Sequence, residues 1–244
     1  MEAAQPGALE GFPTANWLLR GRIIHAGYPG AWDEGVAASI RQAVERAKVS
    51  TIVNFLSDAE IESLPPYLGG LELPPACLNA RPISWIHHPV ADGGTAEDDE
   101  LRALIERCLA SLAGGGILLV HCLGGHGRSG VLCACLAGAL LGLSASDALA
   151  LVKTAHDLRD DPWARQHMSP ETTCQRQQVE LSSNPALTGD GVPATACCCS
   201  YARTLARTHA RTYAHTHTHC ATAISVATAL GYPITIHTHR VEET

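Results

Sequence analysis

The sequence predicts an α/β domain whose central, mostly parallel sheet is flanked by helices. Two observations carry that expectation. Short apolar, β-branched runs such as Thr51–Leu56 and Ile117–Val120 lack the polar alternation of a half-exposed strand, and amphipathic helical stretches separate them. Chain order runs strand, helix, strand, which favours a parallel sheet with helices on both faces.

Each element has its own signal. Residues 17–29 (WLLRGRIIHAGYP) read as two short strands around Arg20–Gly21, or as one strand entered by a turn. Asp33 can cap a helix reaching about Lys48, with Val36, Ile40, Val44 and Ala47 on one face. Thr51–Leu56 is a buried strand. Residues 57–80, rich in acids and interrupted by Pro65-Pro66 and Pro74-Pro75, predict a helical turn and then a long loop without a motif. Ile83–Val90 forms another strand, ended by Asp92-Gly93-Gly94.

Thr95 with Asp98 reads as a capping box opening a helix whose apolar face is Leu101, Leu104, Ile105, Cys108, Leu109 and Leu112. Gly114–Gly116 ends it. The strand Ile117–Val120 follows, then a glycine-rich loop and a helix from Ser129 to about Leu141. Ser144 with Asp147 caps a helix to about Asp160, and a last helix runs from near Ser169-Pro170-Glu171 to Leu181.

The domain is expected over residues 12–183. Beyond it, residues 184–244 turn rich in Ala, Thr, His and Arg, including the strict alternation His215-Thr216-His217-Thr218-His219. A CA-dinucleotide repeat encodes such alternation, and the segment reads as a tail without a core, expected to be disordered.

Composition narrows the classes of function. The net charge is −7, and residues 1–185 hold 13 Lys/Arg against 21 Asp/Glu, which argues against nucleic acid or an anionic membrane as partner. Residues 131–143, the nearest approach to a membrane span, are too short and carry Gly. The opening residues show no basic-then-apolar leader, so a cytoplasmic location, or a nuclear one, is the expectation. Ten Cys without a C-x-x-C pair read as reduced thiols rather than a disulfide or zinc framework.

The chemistry concentrates in residues 117–136, ILLV-HCLGGHGR-SGVLCACL. A strand, a loop and a helix N-terminus follow one another directly. Such a loop turns backbone N–H groups around an anion, and Gly124, Gly125 and Gly127 permit the close approach this needs. Arg128 supplies a planar fork for two phosphate oxygens. Helix and amides together favour thiolate over thiol at Cys122, and Ser129 could donate a hydrogen bond to that sulfur. No Lys is present for a nucleotide-binding P-loop.

HCLGGHGRSG resembles the signature loop of the protein tyrosine phosphatase superfamily. Its Cys-x-Gly-Gly-x-Gly-Arg-Ser form is similar to kinase-associated phosphatase and the compact dual-specificity enzymes. GRIIHAGYPG (21–30) resembles a G-R-x-x-x-G-x-Y-P-G stretch of such enzymes, with Ala26 in place of the middle Gly. SPETTCQ (169–175) resembles their S-P-E-T-x-x-Q ending. The resemblance implies Cys122 as nucleophile, Arg128 as clamp, and Leu123, Gly124, Gly125, His126 and Gly127 as the rest of the phosphate cradle. It implies a loop-supporting His121 and an upstream Asp as general acid. Asp92, in P-V-A-D-G-G, fits that role better than Glu97, Asp98, Asp99 or Glu100, whose first-turn placement suits a helix dipole.

His126 is expected at the pocket rim, adding a pH dependence near neutrality, or else as a solvated loop residue. Gln175 either orients water or decorates a helix surface. Cys133 and Cys135 read as core thiols, with a redox-resolving role as the alternative. His87 and His88 receive no function. The resemblance implies a monomeric protein phosphatase, needing no cofactor or metal and acting on a phosphorylated protein. Phosphoinositide or RNA 5′-phosphate substrates, a non-catalytic phosphate-binding module and a thiol redox protein are the alternatives.

Overall fold

In a computed structural model, residues 5–182 are described, apart from positions 74, 76 and 79. The expected tail, 184–244, lies outside them. Six strands form one sheet: β1 (Gly7–Ala8), β2 (Ala15–Leu19), β3 (Ile23–Ala26), β4 (Thr51–Asn54), β7 (Ser84–His87) and β8 (Leu118–His121), in the order β1-β2-β3-β8-β4-β7. The antiparallel pairs β1–β2 and β2–β3 form one edge; β3, β8, β4 and β7 run parallel. A mostly parallel sheet was the expectation, and β8 occupies its middle.

Side chains along the inner strands, buried at every position, alternate between two cores with period two, as the pleat requires. Ile23, Val53, Leu118 and Val120 enter one core; Ile24, Ile52 and Leu119 enter the other. The first core is closed by α3 (Asp98–Ala113), α4 (Arg128–Leu141), α5 (Ala145–His156) and α7 (Thr173–Ser182), the second chiefly by α1 (Glu34–Arg46). Every residue expected on the apolar face of α3 is buried.

Local expectations met mixed outcomes. Asp33 caps α1 through a 2.9 Å bond from Val36 N, yet the Val36 side chain faces outward, and Ala37 and Ala43 join Ile40 and Val44 in the core. Helical phase does not explain this, since Val36 lies on the same stripe as Ile40 and Val44; it falls in the first turn of the helix, where it is 44% exposed. The Thr95–Asp98 capping box does not form. Glu97 is the N-cap without a side-chain bond, and Asp98, Asp99 and Glu100 load the first turn with acid. Ser144 does cap α5, but that helix stops at His156, short of Asp160.

The segment 57–80 holds α2 (Asp58–Glu62) and begins a two-residue hairpin, β5 (Cys77–Leu78) with β6 (Arg81–Pro82). A further short helix, α6 (Pro162–Arg165), was not expected; Asp161 at its N-cap and Pro162 at its start are sequence-level signals for it.

The register sets the position of the site. Ala26 and Asn54 both pair with His121, and His87 pairs with Asn54, so all four parallel strands end at one level. Ligands of parallel α/β sheets bind beyond the carboxyl ends of the strands. Here the chain leaving those ends supplies Gly27–Pro29, α2, Val90–Gly94 and the loop after His121.

Candidate active site

The loop 122–127 joins β8 to α4, and its carbonyls are held from outside. Tyr28 N donates to Leu123 O at 2.8 Å, and Ser169 Oγ to His126 O at 2.8 Å. The Arg159 Nη1 lies 3.5 Å from Gly124 O. With carbonyls drawn outward, the alternating N–H dipoles are left for the concave side. α4 starts on Gly127, which has no side chain to cap it, so its first-turn donors are likewise left for an anion.

Gly125 has φ +71°, and a Cβ there would lie 2.4 Å from backbone atoms of Ala26 and Gly27. The segment resembling G-R-x-x-x-G-x-Y-P-G is therefore the floor on which the loop rests. Gly127 is constrained from the other side, since a Cβ would meet the Gln175 amide nitrogen at 2.7 Å.

Cys122 is buried at the base of the loop, with Sγ 3.2 Å from Ser129 Oγ. Arg128 is also buried. Its Nη1 donates to both carboxylate oxygens of Glu60, at 3.0 and 3.2 Å, and to Val90 O at 2.9 Å; its Nη2 donates to Asp92 Oδ1 at 2.9 Å. Arg128 Nε is buried and meets no hydrogen-bond partner among the described residues. One edge of the guanidinium is thus anchored by Glu60, while the Nε–Nη2 edge retains donors for an incoming anion.

Asp92 stands at the mouth, its side chain 74% exposed. Its loop is tied down by the SPETTCQ segment: Thr172 Oγ1 donates to Gly93 O at 3.2 Å and Gln175 Nε2 to Gly94 O at 2.9 Å. Gln175 is buried, not a surface residue, and it bridges the acid-bearing loop to Gly127.

Two expected positions need correction or sharpening. His126 does not sit at the rim. Its ring turns back under Gly124, bonds through Nδ1 to His156 Nε2 at 2.8 Å, and stacks on His167 with centroids 4.6 Å apart. Desolvation, with Arg159 and His167 nearby, lowers its pKa to about 4, so it does not titrate near neutrality. His121 is buried, and burial pushes its pKa down to about 3 against the opposing Cys122 carbonyl. Its Nδ1 faces Cys122 O at 3.4 Å and its Nε2 meets Tyr67 Oη at 2.9 Å, so the neutral ring donates at Nδ1 and accepts from Tyr67.

Glu60 and Tyr67 come from the segment that carried no expected motif. Glu60 had a legible signal: Ser57-Asp58-Ala59-Glu60 is a capping-box sequence, and both reciprocal bonds form, placing Glu60 inward at the start of α2. Tyr67 had none. His87 donates to or accepts from no site residue; its Nε2 lies 2.6 Å from Leu56 O. The buried thiols Cys108 and Cys133 have pKa values raised by desolvation, consistent with core packing.

Among known proteins, 067L of Invertebrate iridescent virus 3, whose name describes a tyrosine phosphatase, is 28% identical over 149 residues, covering 59% of this chain and 54% of that protein. Human cyclin-dependent kinase inhibitor 3 is 38% identical over 74 residues, 30% of this chain and 32% of that protein. The chain thus spans about half the length of the first relative and a third of the second. The crystal structure of Tk-PTP in its active form superposes with a TM-score of 0.51 at 21% identity, covering 70% of this chain and 97% of that one, a likeness of fold. The model of the Swiss Army Knife protein, DSP-PTPase phosphatase domain, matches residues 36–184, and with that match over more than half its length the chain belongs to this dual-specificity branch of the protein tyrosine phosphatase superfamily.

Proposed function

We propose that the chain is a cysteine-dependent phosphomonoester hydrolase that removes phosphate from a phosphorylated protein, at phosphotyrosine or with dual specificity. The observation that carries this reading is the meeting of four groups from two segments: Cys122 beside Ser129, and Arg128 joined to Asp92 at 2.9 Å. A phosphate-binding module would need the loop and Arg128, but not a carboxylate at the mouth.

A phosphomonoester entering the loop takes donors from Arg128 Nε and Nη2 and from the loop amides. Cys122, as thiolate, attacks phosphorus in line, forming an S–P bond as the P–O bond breaks. Protonated Asp92 gives its proton to the departing oxygen. Water then attacks phosphorus, loses a proton to Asp92, and the S–P bond breaks with its electron pair returning to sulfur. Glu60 holds the guanidinium at Nη1 through both steps, and Ser129 donates to the leaving thiolate. Gln175 holds the Asp92 loop at its distance from Gly127.

The acidic balance of residues 1–185 supports a peptide over a polyanionic lipid or RNA end. The 067L protein and Tk-PTP carry tyrosine phosphatase or PTP in their names, which supports the same choice. Hydrolysis of an aryl phosphate, blocked by vanadate and abolished in Cys122→Ser, tests the chemistry; retained turnover in that variant rejects it. A panel of phosphopeptides against phosphoinositides tests the substrate, and faster release from the lipids would overturn the protein assignment.

A further inference from the structure

Ser129 is a rotor. Its hydroxyl hydrogen can point at Cys122 Sγ or away from it, and only the first orientation helps the thiolate. A second contact decides between them. His25 Nε2 lies 3.0 Å from Ser129 Oγ, and Ser129 Oγ lies 3.2 Å from Cys122 Sγ, so the three groups form a chain running from β3 to the base of the loop. His25, Cys122 and Ser129 are all buried, with His25 and Ser129 fully so.

The other ring nitrogen supplies the direction. His25 Nδ1 is buried and meets no hydrogen-bond partner among the described residues. If Ser129 donated to Nε2, the neutral ring would carry its proton on Nδ1, stranding a buried N–H. Stranding a donor is costly, because it loses water without replacement. A proton on Nε2 avoids this: Nε2–H donates to Ser129 Oγ, and Oγ–H is left with Cys122 Sγ as its acceptor.

The surroundings keep the ring neutral and in place. Arg159 donates from Nη2 to His25 O at 3.1 Å and from Nε to Asn16 Oδ1 at 2.8 Å. His156 faces the ring at 6.0 Å, and His126 lies beyond it. Among the described residues no carboxylate bonds to His25, and burial with the Arg159 charge lowers its pKa well below the ordinary histidine value.

We propose that His25 is a positioning residue, which fixes the Ser129 hydroxyl toward Cys122 and so favours the thiolate both as resting nucleophile and as leaving group. This rests on the cysteinyl-phosphate reading above, but one arm of its test requires no turnover. In the full chain, the nitrogen chemical shifts of His25 report its tautomer directly, and an Nδ1–H form would overturn the proposal. Alkylation of Cys122 by iodoacetamide at about pH 5.5 reads thiolate without substrate. The rate should fall about tenfold in His25→Leu and equally in Ser129→Ala, with no further loss in the double variant, as expected for one charge-assisted hydrogen bond.

His25→Gln, which retains an amide donor, should recover most of the rate. In rapid-mixing kinetics with an aryl phosphate, His25→Leu should slow hydrolysis of the phosphoenzyme more than its formation. Alkylation in a folded His25→Leu equal to that of the unaltered chain, or losses that multiply in the double variant, would reject the relay. An unaltered chain that alkylates as expected but releases no phosphate would reject the hydrolase reading and leave the relay standing.

Discussion

The phosphate loop has two sides, and they handle charge in opposite ways. In front, Arg128 meets the carboxylates of Glu60 and Asp92, so charge there is paired and reaches solvent through Asp92. Behind, His25, His126 and His156 are packed with Arg159 away from solvent, and desolvation holds the histidines neutral, with pKa values of about 4 for His126 and about 2 for His156. Arg159 itself is lowered to about 9, chiefly by burial. Charge in front can be exchanged for a ligand; behind, protonation is resisted so that the support does not move. Chemistry and rigidity are thereby separated by the thickness of one loop.

The largest test falls on the front. Arg128→Lys removes the planar fork while keeping the charge, and should lower kcat/KM about a thousandfold with the melting temperature little changed. A loss under tenfold would reduce Arg128 to a point charge. Asp92→Asn comes next. It should lower kcat about a hundredfold on a substrate with a poor leaving group and leave KM nearly unchanged; equal activity would pass the role to an acid of the first turn of α3.

The rear is tested by pH. A histidine whose folded pKa lies below its unfolded value binds more protons when unfolded, so its stability is present above about pH 6.5 and is lost as pH falls toward the folded value. Lowering pH from 7 to 5 should therefore cost about 2 kcal/mol or more and depress the melting temperature by about 5 °C or more. A melting temperature flat to pH 5 would mean that the rear cluster is charged in the fold. Glu60 has a lowered pKa, from bonds with Ser57 and Arg128 that outweigh its desolvation, so its own stabilisation fades only below about pH 4.5 and lies outside this window.

The smallest effect is Glu60→Gln. The amide can still accept from Arg128 but carries no charge, so kcat should fall about tenfold with the fold intact. An unchanged kcat would show that Val90 O and the loop suffice to orient the guanidinium.

What could be read from the sequence follows the same division. The front is compact in sequence: Cys122, Arg128 and Ser129 lie in one loop, and Asp92 in a strand-ending turn, so spacing and residue type point to them. α3 was legible because its apolar stripe recurs over four turns. The rear is assembled across the sheet. His25 reaches Ser129 because β3 lies parallel to β8, a register without any local signature. His126 illustrates the limit within a motif: glycines on both sides let its ring turn back onto His156, and residue type alone does not say which way a loop histidine faces. Val36 has the helical phase of Ile40 and Val44 yet stays exposed in the first turn of α1, so periodicity alone did not separate them.

Gly125 rests on the Ala26–Gly27 peptide, and the two segments stand roughly a hundred positions apart, the kind of long-range closure that forms slowly. The signature is thus a conformation borrowed from the whole chain. A fragment beginning at Leu118 would contain every letter of it and lack the surface that shapes it. On the proposed hydrolase reading, activity is accordingly expected to report folding late: it requires that the first hairpin and the central strand have met, and a lesion that loosens their pairing should abolish turnover without touching a residue that handles phosphate.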